Sequence, residues 1–66
     1  MTNQQLSKTL NDIAAGVLFS GDALLEAKNH PAVTSNDKQC INRFLFGTPD
    51  IADIARLKDI AFYISE

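Results

Sequence analysis

Leu6, Leu10, Ile13 and Val17 step by four, three and four, and the same register continues through Ser20 to Leu24 and Ala27. On a helix that spacing forms one apolar seam. Ala14, Leu18 and Leu25 widen it into a core-facing stripe. Gln5, Lys8, Asn11, Asp12, Asp22 and Glu26 flank it. Lys8 and Asp12 can pair four residues apart, in the weaker orientation with lysine first. This stretch constrains the fold more than any other, because so long a stripe needs apolar elements to cover it.

Its ends carry their own signals. Thr2 and Gln5 have capping-box spacing. Asn29-His30-Pro31 is a stop: Asn tolerates a left-handed cap, and Pro31 disfavours helix at His30. Gly16 and Gly21 each weaken a helix interior by roughly 1 kcal/mol relative to alanine. Two readings follow. Ser20-Gly21-Asp22 breaks the helix and Ser20 caps a second piece, or the glycines let another backbone approach closely. The unbroken register through Leu24 favours a single helix, Leu6 to Lys28.

Two more helices follow. Pro31-Ala32-Val33 is a short extended connector whose Val33 can tuck onto the core. Thr34 caps a helix over Ser35–Phe46 with Asp37 in its first turn, where a carboxylate suits the positive end of the dipole. That helix puts Cys40, Ile41, Phe44 and Leu45 on one side, and Gly47 suits the position just past its end. Thr48-Pro49-Asp50 reads as a cap, a first-turn proline and a dipole-stabilising acid, opening a helix from Pro49 to about Ile64. Its apolar positions are Ile51, Ile54, Ala55, Leu57, Ile60, Ala61 and Ile64. Asp53 and Arg56 form an outward pair three residues apart. No segment alternates as a strand does. The expected fold is all-α, a single domain over residues 1–66 with three helices: one long, one short, one C-terminal.

Size limits what that fold can hold alone. Sixty-six residues bury only about 60% of their unfolded surface, so such chains usually lean on disulfides, a metal or oligomerisation. One cysteine excludes an intramolecular disulfide, and with one histidine it excludes a Cys/His zinc cluster. A net charge of −2 argues against indiscriminate binding to nucleic acid or anionic membranes. The charge-free apolar run Ile13–Gly21 is too short to span a bilayer. The amino terminus lacks a basic segment, and a lone cysteine suits the cytoplasm.

The apolar runs Val17-Leu18-Phe19, Phe44-Leu45-Phe46 and Ala61-Phe62-Tyr63-Ile64 carry the functional content. Successive helical residues lie about 100° apart, so no flat contact buries a whole run. At least one of Phe19, Phe46, Phe62 and Tyr63 is expected at the surface. Exposed aromatic clusters mark interaction surfaces; the competing reading wraps these rings around a small core. The size argument favours a homodimer, with Phe19, Phe44, Phe46, Phe62 and Tyr63 as interface candidates.

Chemistry is sparse. His30 fits a helix end better than a catalytic base, since no nucleophile can be named beside it. Cys40 sits on an apolar side, where thiols are inert, although its place early in a helix can lower a thiol pKa. Asp50, Asp53 and Asp59 lack metal-cage spacing, and no phosphate loop is present. No catalytic, metal or cofactor site is expected. Lys28, His30, Lys38 and Arg43 form a faint basic stretch, and residues 34–64 have a helix–turn–helix outline. As an alternative, that outline would read DNA through Arg43, Arg56 and Lys58, against Asp50 and Asp53 that repel phosphate.

The whole chain, in size, acidity, helix-only patterning and its text from Met1-Thr2-Asn3-Gln4-Gln5 onwards, resembles the very small early accessory proteins of temperate lambda-like phages. That resemblance implies a non-enzymatic protein in the host cytoplasm. It would modulate host growth, the cell cycle or the lysis–lysogeny choice by contacting a host or phage protein. No site residue carries over with it.

Overall fold

The computed structural model describes all 66 residues and is built of four helices: α1 Asn3–Ala14, α2 Gly21–Lys28, α3 Ser35–Phe46 and α4 Ile51–Ser65. The all-α expectation holds, with four helices in place of three.

The extra helix comes from the first stretch, which is two helices and not one. Gly16 lies in the left-handed region at φ 77°. Around it Val17 N–H donates to the Asp12 carbonyl at 2.9 Å and Gly16 N–H to the Ile13 carbonyl at 3.1 Å. These crossed bonds close a helix end and satisfy carbonyls that would otherwise be orphaned. Ser20 then caps α2, its hydroxyl accepting from Ala23 N–H at 3.2 Å. The seam survives where helix survives: Leu6, Leu10, Ile13, Leu24 and Ala27 are buried. Val17 falls in the connector and is 72% exposed, while Leu18 and Leu25 are also exposed. A periodic pattern that spans a break carries no information about the break itself.

Three of the four starts are reciprocal capping boxes, Thr2 with Gln5, Thr34 with Asp37 and Asp50 with Asp53. The last corrects the expected start of α4 from Pro49 to Ile51. With Thr48 as cap, the third helical residue would be Ile51, which cannot return a hydrogen bond. With Asp50 as cap it is Asp53, which accepts from Asp50 N–H at 3.2 Å while Asp50 accepts from Asp53 N–H at 2.8 Å. Asn29 ends α2 at φ −92° and not in a left-handed cap; its side-chain amide donates to the Leu25 carbonyl at 3.1 Å.

Each helix packs on its two neighbours in a closed ring, with α1 against α4 the most extensive pairing. Neighbours run in opposite directions. Asn3 at the start of α1 meets His30 just past α2; Gly21 at the start of α2 lies beside Leu45 near the end of α3. The Ser7 hydroxyl of α1 donates at 2.7 Å to the Ala61 carbonyl of α4, and these small residues let the two backbones approach. Leu10, Leu24, Ile41, Leu57, Ile60 and Ile64 form the centre, with Val33 tucked in from the connector. Fully burying each large aliphatic chain stabilises the fold by about 1.5–3 kcal/mol.

α3 and α4 are clamped by two crossed ion pairs. Arg43 donates from Nε and Nη2 to both oxygens of Asp53, at 2.8 and 2.6 Å. Arg56 donates from Nε to Asp37 at 2.6 Å. The expected Asp53–Arg56 pair within α4 is therefore replaced by two pairs between helices. Both aspartates are buried, and both cap their own helix. Facing the neighbouring helix, Asp53 takes its arginine from there.

Candidate protein-interaction surface

The antiparallel ring brings two connectors, residues 15–20 and 47–50, to the same end of the molecule. Between Ala15 and Ser20, and between Phe46 and Ile51, the only ionisable side chain is Asp50, already engaged as the α4 cap. Val17, Leu18, Phe19, Phe46 and Ile51 are all exposed there, Phe46 at 81% and Ile51 at 85%. The ring of Phe19 and the side chain of Leu45 both approach Gly21, which ties the first connector to the end of α3. This is an apolar end whose one ionisable group is the Asp50 cap.

A second apolar surface runs along α4. Its inner face holds Asp53, Leu57, Ile60, Ala61 and Ile64. With residues about 100° apart, Ile51, Ala55, Lys58 and Phe62 fall on the opposite face, and all four are exposed. Tyr63 is exposed beside Phe62, with ring centres 6.0 Å apart. Ile51, Ala55 and Phe62 thus leave apolar surface on the outer side of α4, interrupted by the charge of Lys58.

The five candidate aromatics thus have different surroundings. Phe19 and Phe46 lie at the connector end, Phe62 and Tyr63 on the far part of α4, and all four are exposed. Phe44 is half-buried and packs against the core. Ile51 and Val17 join the exposed set although only aromatics were singled out. Their signal was present as apolar residues flanking helix boundaries, and became readable once the boundaries were placed.

His30 lies in an open cleft of about 380 Å³ between the start of α1 and the end of α2, lined also by Asn3, Glu26 and Asn29. Its Nδ1 accepts from Ala32 N–H at 3.1 Å, and Nε2 lies 3.2 Å from the Asn3 side-chain oxygen. With Nδ1 accepting, Nε2 is the ring nitrogen left to donate to Asn3. Both ring nitrogens are occupied, and no serine, threonine or cysteine lines the cleft. Cys40 is buried, and Sγ donates to the Asp53 carbonyl at 3.4 Å. Burial first, then the negative charge of Asp53, pushes its pKa up to about 11. The helix-start effect that could lower it is outweighed.

Of the basic residues considered for DNA, Arg43 and Arg56 are held by buried aspartates, and Lys58 projects from the outer face of α4. The start of α4 presents Asp50 and Asp53 between them.

Fold and surface together define a class: a small antiparallel four-helix protein with apolar surface that one chain leaves uncovered. Comparison of the chain with protein-family models, curated proteins and solved structures finds no match to any of them. No helix is long and apolar enough to cross a membrane.

Proposed function

We propose that this chain is a small non-enzymatic interaction module that works in the cytoplasm as a homodimer and contacts a different protein. The observation that carries the reading is the apolar connector end, where Val17, Leu18, Phe19, Phe46 and Ile51 stand exposed to solvent. Contiguous exposed apolar residues on a small protein favour association, and aromatic residues dominate the energetics of such contacts. The whole-chain resemblance to early proteins of lambda-like phages supplies a setting: modulation of host physiology or of lysis–lysogeny development through protein contacts.

A quadruple variant tests the reading without presuming which patch is used. Phe19→Ser, Phe46→Ser, Ile51→Ser and Phe62→Ser together remove exposed apolar surface and leave every core residue in place. The wild type is expected to elute and scatter light as an associated species, the variant as a monomer of unchanged helical circular dichroism. Identical monomeric behaviour of both would contradict the proposal.

A further inference from the structure

We propose that the connector between α1 and α2 is the site at which an endopeptidase with a large apolar primary pocket cuts the folded chain, at the peptide bond between Phe19 and Ser20. The proposal stands on the backbone of this connector and does not need the association proposed above. Leu18, Phe19 and Ser20 lie outside every helix. Their N–H groups donate no backbone hydrogen bond, and the carbonyls of Leu18 and Phe19 accept none. Ser20 is extended, at φ −140° and ψ 105°. An endopeptidase draws its substrate in as an extended strand and hydrogen-bonds its main chain, as a sheet edge takes up a peptide. Here those groups are free before the enzyme arrives. Val17, Leu18 and Phe19 present exposed apolar side chains on the amino-terminal side of the bond, and Ser20 and Gly21 add little bulk on the other.

The competing bonds are held. Phe46 is more exposed than Phe19, but the N–H of Gly47 after it donates to the Arg43 carbonyl at 3.0 Å. Phe62 and Tyr63 are exposed within α4, which must unwind before either enters a cleft. The connector after α2 is tied by Val33 N–H to the His30 carbonyl at 3.1 Å, with Val33 itself buried. The connector before α4 has Pro49 directly after Thr48, and proline offers no main-chain N–H. Nicking concentrates where exposed chain lacks such ties. Hydrolysis adds one water across the Phe19–Ser20 bond, leaving a carboxylate on Phe19 and passing a proton to the new amine of Ser20. That positive charge falls at the positive end of α2. α1, which supplies Leu6, Leu10 and Ile13 to the core, is then no longer joined to α2, and its docking depends on concentration. A single cut thus converts a one-chain fold into one that dilution takes apart.

Limited digestion with chymotrypsin, whose primary pocket is an apolar slot, tests the assignment. Mass spectrometry is expected to find residues 1–19 and 20–66 as the first products. Phe19→Ser leaves the primary pocket unfilled and every core residue in place. It is expected to slow the first cut roughly tenfold or more, with helical circular dichroism unchanged. A first cut anywhere else in the wild type overturns the proposal. So does a Phe19→Ser variant nicked at the wild-type rate, or a wild type cut no faster than it unfolds globally. Repeating the digestion over a range of protein concentrations separates this site from the association proposed above. Cleavage at this bond supports the site whether or not it slows as concentration rises; only the slowing supports self-association at this end.

Discussion

Two glycines, five residues apart, have opposite value. Gly16 holds φ 77°, and nothing lies within 4 Å of where a side chain would begin. A Cβ there meets no neighbour, only the backbone's own steric penalty, so Gly16→Ala should destabilise by roughly 1–2 kcal/mol. Gly21 opens α2, and its Cβ would find Phe19 and Leu45 at ordinary contact distances of 3.9 and 4.0 Å. Gly21→Ala should therefore raise stability by about 0.5 kcal/mol by restricting the unfolded chain. Urea unfolding of the two variants checks the sign of each. Titration adds two limbs. Hydrogen bonds from Arg43 hold the Asp53 carboxyl below the usual carboxylate range. Its contribution is complete above about pH 4 and lost as pH falls through the depressed folded value. Asp53→Asn should lower neutral-pH stability and flatten the acid limb of a pH–stability curve. Cys40 acts in the other direction. Its pKa is pushed up to about 11, so its stabilisation is full below the ordinary thiol range, about pH 8.5, and fades as pH rises toward the folded value. At pH 8 its reaction with a thiol reagent should proceed at the rate of unfolding; immediate labelling of the folded protein would refute its burial.

At the scale of the helix, capping decides what periodicity leaves open. Asp50→Ala should remove the α4 box and cost about 1 kcal/mol. Thr48→Ala should change stability by less than about 0.5 kcal/mol, as surface positions do. Equal losses would return the start of α4 to Thr48. Much of the fold was legible in the sequence at this scale. Thr2 with Gln5, Thr34 with Asp37, the extent of α3 and the buried Leu6, Leu10, Ile13, Cys40 and Ile41 are local signals that nothing distant overrides. The break after Ala14 was harder, because Leu24 and Ala27 reappear in phase with a seam they do not share. The ion pairs were illegible for a different reason. Spacing in sequence favoured Asp53 with Arg56, but which helix face Asp53 occupies is set by packing α3 on α4. The surface was half legible: long apolar runs announced that some aromatics must be exposed. Only the antiparallel ring shows that Val17–Phe19 and Phe46–Ile51 meet at one end.

For the molecule as a whole, the margin is small. A domain of this size has on the order of 3–10 kcal/mol of stability at about 0.05–0.15 kcal/mol per residue. Truncating one central side chain, as in Leu24→Ala, is expected to cost about 2–5 kcal/mol, a large part of that margin. The same shortage of buried surface links stability to association. In the proposed homodimer a second copy would cover apolar area that a single ring of four helices leaves in water, and thermal midpoints would then rise with protein concentration. Sedimentation equilibrium over a wide concentration range tests that claim most directly. The account predicts a reversible species of twice the 7.2 kDa chain mass, with a monomer appearing on dilution; a single monomeric mass at every concentration would contradict it.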